Sequence, residues 1–223
     1  MAGLLLQLLL TVFVMAVSLQ GWLPLGCLEE ERTALLQLKD ALNYPNGTSL
    51  PSWIDGDAHC CSWESIVCNS STGRVTILAL DSTRNWELGD WYLNDSLFLP
   101  FQELNVLSLS ANRIAGWVKN KESLGSLKLL DLSGNDINKL IASRGSSNLS
   151  ALILNNITTY GSSLQLLLSL RAFPNLTKLD LSNNDFRGKI LGFLDLKNLE
   201  YLDLSYNTLN NSIFQTIGKV YVT

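Results

Sequence analysis

Leucines recur through the second half of the chain at the spacing LxxLxLxxN, as Leu104, Leu107, Leu109 and Asn112, then as Leu127, Leu130, Leu132 and Asn135. The phrase returns as Leu176, Leu179, Leu181 and Asn184, and again as Leu199, Leu202, Leu204 and Asn207. Within each pair the two copies lie 23 residues apart. Alternation of apolar and outward-facing positions over so short a run predicts a strand with its leucines turned to one side. Further upstream, Leu28, Leu35, Leu38 and Leu42 follow one another at spacings of seven, three and four, around the acidic run Glu29, Glu30 and Glu31. This spacing predicts an amphipathic helix whose first turn carries the charge that its dipole favours, with Pro45 beyond its end.

A self-similarity of 23 residues falls within the roughly 20–29 residue window of leucine-rich repeats. The expected fold class is α/β: a leucine-rich-repeat solenoid with short parallel strands on a concave face, behind a helical amino-terminal cap. Each strand has leucines that cannot be buried alone, so neighbouring repeats must stack. Val75, Leu78 and Leu80 keep the spacing without the asparagine and predict an atypical first strand bonded to the cap. Leu149, Leu152 and Leu154 form a degenerate copy in which Ile157 takes the place of asparagine. The 49 residues from Asn135 to Asn184 are two repeats long, so a copy belongs there. Two stretches leave the pattern. The segment from Trp86 to Pro100 is expected to be an aromatic loop that extends the cap or lines one edge of the binding face, and Thr158 to Pro174 a long loop with a short convex-side helix.

The repeat positions have separate tasks. Leucines fill the core, each burial contributing about 1.5–3 kcal/mol. The asparagines Asn112, Asn135, Asn184 and Asn207 are expected to form a structural ladder, bonding backbone groups where each strand turns into its loop. Residues between the leucines face outward and are the functional candidates, among them Asp131, Lys178, Asp180, Tyr201 and Asp203, with Tyr206 just beyond. The three aspartates predict a column of like charge suited to a basic peptide, although LDLS is also a stock phrase of such repeats. Tyr201 and Tyr206 are the stronger contact candidates, because aromatic side chains carry much of the energy at interfaces.

Composition places the chain outside the cytosol. The first 26 residues carry no charged side chain and have an apolar stretch from Leu4 to Val17, which predicts a secretory leader, with a retained signal anchor as the rival. Cys27, Cys60, Cys61 and Cys68 are an even set behind that leader and predict two disulfides, with three pairings open. Sequons stand at Asn46, Asn69, Asn94, Asn148, Asn156, Asn175 and Asn210. Formal net charge is -4, and the basic residues are scattered, which speaks against nucleic acid as a partner. With a single histidine, His59, and no triad, phosphate loop or metal spacing, neither catalysis nor a cofactor is expected.

The segments CLEEERTALLQLKDAL and WIDGDAHCCSWESIVCNSSTGRVTILAL, together with the repeat loops NRIAG and NDFRGKI, resemble the amino-terminal part of a plant leucine-rich-repeat receptor-like protein. The resemblance covers nearly all of the chain after Cys27. It implies pairing of Cys27 with Cys60 and of Cys61 with Cys68. It also implies a cell-surface receptor without a kinase, acting in defence or development through partner receptor kinases, with further repeats, a carboxy-terminal cap and one membrane helix. The expected organisation is a signal peptide over 1–26, the cap over 27–74, and about six repeats over 75–223, truncated without a carboxy-terminal cap. The expected ligand is an extracellular peptide, glycan or protein, at the plasma-membrane surface or in the extracellular space. A soluble inhibitor resembling those of polygalacturonases, or a non-signalling decoy, is the alternative.

Overall fold

The computed structural model describes residues 27–43, 47–118, 124–137, 139–141, 148–157, 170–188, 196–209 and 221–222. The expected leader and the sequons at Asn46 and Asn210 lie outside the described residues. In chain order the elements are helix α1 (Glu29–Asn43) and strands β1 (Ile66–Cys68), β2 (Val75–Ala79), β3 (Trp91–Asn94), β4 (Val106–Ser108), β5 (Ile114–Val118), β6 (Leu129–Asp131), β7 (Lys139–Ile141), β8 (Ala151–Ile153), β9 (Lys178–Asp180), β10 (Arg187–Gly188), β11 (Tyr201–Asp203), β12 (Thr208–Leu209) and β13 (Tyr221–Val222).

Among the described residues, eight strands form one sheet in the order β1-β2-β4-β6-β8-β9-β11-β13. β1 runs antiparallel to β2, and each later pair is parallel. The register equates Leu107 with Leu130, Leu130 with Leu152, Leu152 with Leu179, and Leu179 with Leu202. The leucines therefore stack as the repeat spacing predicted, and all five are buried in one continuous core.

The asparagine ladder is built from side-chain amides. Asn135 Oδ1 accepts from the backbone N–H groups of Asn112 and Ile114, while its Nδ2 donates to the carbonyls of Leu109, Leu132 and Ser133. Asn112 likewise accepts from Thr83 N and Arg84 N and donates to the Leu80 carbonyl. Asn184 and Asn207 repeat the arrangement, accepting from Ile157 N and Phe186 N. Ile157 has no amide, so the rung that would reach from its own repeat back to Asn135 is missing.

The residue just before each ladder position has a left-handed backbone: Ser82, Ala111, Gly134, Asn156, Asn183 and Tyr206 have φ between 50° and 64°. This turn aims an N–H at the next repeat, as from Ala111 to the Ser133 carbonyl at 2.8 Å and from Gly134 to the Asn155 carbonyl at 2.9 Å. Only one of the six is glycine.

The cap covers the start of this stack. Leu35, Leu38 and Leu42 of α1 are fully buried, as their spacing predicted. Cys27 pairs with Cys60 at a Cα separation of 5.7 Å, and Cys61 with Cys68 at 5.6 Å, so one short 3-10 turn, Cys60–Ser62, is tied to both the helix start and β1. Trp53 and Trp63 stack beneath it at 5.8 Å, each indole N–H satisfied, by the Glu64 carbonyl and by Asp57.

One expectation is corrected. The segment from Trp86 to Pro100 is not merely an aromatic loop: β3 lies inside it and opens a second parallel sheet, β3-β5-β7, followed by the 3-10 turn Asp95–Phe98. A two-stranded counterpart, β10-β12, follows further along. The segment is thus the second half of the first repeat. Of the long loop from Thr158 to Pro174, the part over 158–169 lies outside the described residues, and its end forms a 3-10 turn, Leu170–Ala172.

Candidate functional site

The outward positions of the large sheet form two registered columns. The first runs Ile77, Val106, Leu129, Ala151, Lys178 and Tyr201, and the second Ala79, Ser108, Asp131, Ile153, Asp180 and Asp203. The chemistry changes along the stack. Near the cap the first column is aliphatic, and from β9 onward it is cationic and aromatic.

The sequence-predicted candidates do meet, but not all in the expected form. Ile153 separates Asp131 from Asp180, so the acidic column is a pair plus an outlier. Each aspartate also has local work. Oδ1 of Asp131, Asp180 and Asp203 accepts from the backbone N–H two residues on, at Ser133, Ser182 and Ser205, each at 2.9 Å, and from the same serine's hydroxyl. The aspartates thereby close the turn at the end of each strand, which gives a physical reason for the LDLS phrase.

Lys178 and Tyr201 form the most distinctive pair on this face. The Lys178 ammonium stands 5.1 Å from the centre of the Tyr201 ring, a cation–π contact, and the Tyr201 hydroxyl donates to Asp203 Oδ2 at 3.4 Å. Cation, ring and carboxylate thus form a short polar-aromatic row across β9 and β11. Beside it, Asn175, Thr177, Lys197, Asn198, Glu200 and Tyr201 line an open groove of about 900 Å³. Tyr206, two repeat positions past Leu204, is 85% exposed and holds its ring on a left-handed backbone.

Among the sequons in described residues, Asn94, Asn148, Asn156 and Asn175 are exposed and Asn69 is half-buried. Asn69 donates to Glu103 Oε2 at 2.9 Å, and Asn94 caps its 3-10 turn by accepting from Ser96 N. Asn175 and Thr177, two members of one sequon, both line the groove beside Tyr201.

Sequence reasoning missed two features of the cap junction. Glu31 is fully buried, accepts from Val75 N at 3.0 Å, and lies 3.6 Å from Arg74. Burial holds its carboxyl above the usual carboxylate range, against the opposing pull of the Val75 N–H and the Arg74 charge. Arg84 donates to the carbonyls of Ala41 and Gly89, and its guanidinium lies 5.1 Å from the centre of the Trp91 ring. Burial and the charge of Arg113 lower its pKa. A charged residue inside an apolar helical spacing was the available signal for Glu31. Among the described residues no cluster of three or more His, Cys, Asp or Glu is placed to hold a metal ion, and no helix is long and apolar enough to cross a membrane.

Residues 28–69 match the leucine rich repeat N-terminal domain, and residues 126–143, 175–195 and 198–220 match leucine rich repeats. The chain is 31% identical to Cuscuta receptor 1 of Solanum lycopersicum over 93% of its own length and 22% of that protein's. It is 35% identical to Receptor-like protein 9a of Arabidopsis thaliana, over 93% of its length and 20% of the relative's. The chain thus spans about a fifth of these relatives. In fold it is similar to the BIR2 ectodomain from Arabidopsis thaliana, at 24% identity and a TM-score of 0.55, over 83% of this chain and 96% of that one. It is also similar to the Arabidopsis receptor kinase HAESA in complex with the peptide hormone IDA and the co-receptor SERK1, at 25% identity and a TM-score of 0.51, over 87% of this chain and 30% of that one. Cap, repeats and relatives together place the chain among the plant leucine-rich-repeat receptor-like proteins.

Proposed function

We propose that the chain contributes to extracellular recognition of a peptide or protein through its concave sheet, centred on Lys178, Tyr201 and Asp203, without chemistry of its own. The observation that carries this reading is the row in which an exposed cation, an aromatic ring and a carboxylate are set side by side on rigid parallel strands. Such a row offers a peptide an apolar ring face, one donor and one acceptor within a few ångströms. Rigid strands limit the ordering cost of binding. The structure of the receptor kinase HAESA in complex with a peptide hormone and a co-receptor, to which the chain is similar in fold, supports this class of ligand. In a plant cell the reading assigns the chain to the extracellular side, in defence or developmental perception alongside a partner receptor kinase.

Selection of a displayed random-peptide library on the secreted protein tests the reading. The expected outcome is peptides whose affinity falls at least tenfold on Tyr201→Ala and on Lys178→Glu, a loss of about 1.4 kcal/mol or more. Gln102→Ala, in a turn outside the concave sheet, leaves them unchanged. Peptides that bind all three variants equally would overturn the assignment.

A further inference from the structure

The cap and the first repeat enclose a second, smaller concavity on which the concave-face reading makes no demand. It measures about 340 Å³ and is lined by Thr48, Ser49, Ser82, Arg84, Asn85, Trp86 and Glu87, with the Gly47 backbone. That volume lies at the lower end of the range for small-ligand sites, roughly 300–1,000 Å³. Its chemistry is hydroxyl, amide, carboxylate and indole, with the guanidinium of Arg84 in the wall.

Several contacts fix this wall in place. Arg84 is anchored to the last turn of α1 through the Ala41 carbonyl at 2.8 Å, and Asn85 N donates to the Leu42 carbonyl at 2.9 Å. Asn85 Oδ1 accepts from Glu87 N at 3.0 Å, which shapes the loop that carries Trp86. Arg113 Nη1 donates to the Trp86 carbonyl at 2.9 Å, holding that loop from the other side. On this fastened loop the Trp86 ring is 75% exposed. An indole of that size left in water on an anchored backbone is a contact surface in waiting.

We propose that this junction pocket binds a neutral saccharide, with one pyranose ring stacked on Trp86 and its hydroxyls bonded to Glu87, Asn85, Ser49 and Ser82. A pyranose has apolar C–H faces and a hydroxyl rim, which is the complement of an indole set among carboxylate, amide and hydroxyl groups. An anion fits less well. Arg84 gives one N–H of each terminal nitrogen to a backbone carbonyl, its face lies against Trp91 and its unpartnered Nε is buried away from solvent, while Glu87 repels a carboxylate or phosphate.

The test is titration of the full chain with cellohexaose and with chitohexaose, followed by tryptophan emission, with oligogalacturonate of the same length as the anionic comparison. The proposal expects saturable quenching by at least one neutral hexamer. Trp86→Ala should weaken it at least tenfold, Glu87→Gln severalfold, and Tyr201→Ala not at all, which separates this site from the concave face. Both pocket side chains are exposed, so these variants keep the parent's thermal midpoint. Absence of saturable quenching by both neutral hexamers, quenching that survives Trp86→Ala, or preference for oligogalacturonate overturns the proposal.

Discussion

At the scale of single residues, one asparagine side chain satisfies as many as five backbone groups across two repeats. Asn135 is buried and serves Asn112 N, Ile114 N and three carbonyls, so its replacement by alanine strands groups that water cannot reach. Each stranded group costs about 1–3 kcal/mol, and Asn135→Ala is expected to lower stability by about 3 kcal/mol or more in urea unfolding. A loss below 1 kcal/mol would show that the ladder is ornamental. The task of Asn135 was legible in the sequence because an amide at a fixed repeat position has few other uses. The left-handed column beside it was not, because Ser82, Ala111, Asn183 and Tyr206 share a backbone angle and no chemistry. Tyr206 is the bulkiest of them, and a left-handed backbone costs an ordinary L-residue about 1–2 kcal/mol. Asparagine tolerates that conformation better, so Tyr206→Asn is expected to leave stability equal or up to about 1 kcal/mol higher. The same change removes an exposed ring from the concave edge and is expected to weaken selected peptides. Measured on one sample, peptide affinity should therefore fall while the thermal midpoint holds or rises.

At the scale of elements, the cap shows both what a pattern reveals and what it hides. Helix α1 was readable because Leu35, Leu38 and Leu42 share one face, and its end agreed with Pro45. Strand β3 was hidden, because Trp91 and Tyr92 interrupt the leucine spacing and a four-residue strand has no periodicity of its own. Its later counterparts did leave a trace, in the buried Ile114, Ile137 and Phe186 two residues past each ladder asparagine. The two disulfides differ in the loop they close, with sequence separations of 33 and 7. Loop-closure entropy makes the longer one more stabilising by about 1 kcal/mol. Replacing Cys27 and Cys60 by serine should therefore cost more than replacing Cys61 and Cys68, read from the urea midpoints of the two double variants. The buried Glu31 adds a pH dependence to the same element. Its folded-state pKa is raised from 4.5, so as pH climbs from there through the folded value the unfolded chain gives up its proton first and stability falls. Asp57, held low by the His59 N–H and the Trp63 indole, slopes the other way in any variant. The difference between Glu31→Gln and the parent isolates the effect. It should shift in favour of glutamine as pH rises across that window, and a difference that stays flat from pH 4 to 8 would remove Glu31 as the cause.

At the scale of the whole molecule, a stack of repeats holds together through neighbours only, so cooperation between its ends is as strong as its weakest interface. The concave sheet is continuous from β2 to β11 in backbone hydrogen bonds, but the side-chain ladder is not. Asn112 and Asn135 are linked on the cap side, Asn184 and Asn207 each reach the repeat before them on the far side, and between the two groups stands Ile157. Its side chain packs into the core and offers no acceptor to the Asn135 turn. Two cooperative blocks follow from that gap, one from the cap through Asn135 and one from Leu149 through Asn207, because Asn184 bonds Ile157 N and the Leu154 carbonyl. The second block is also where Lys178 and Tyr201 lie. Opening of that block would leave the cap folded, in keeping with the lower stability common to binding regions. Native-state hydrogen exchange is expected to show slow, concerted opening across β2, β4 and β6, and faster opening across β9 and β11. Ile157→Asn supplies the missing amide in the same register. It is expected to slow exchange in β9 and β11 toward the rates of the first block, even at the cost of a buried apolar side chain. A single exchange rate across all five strands in the parent would remove the gap as a boundary, and so would an unchanged ratio between the blocks in Ile157→Asn.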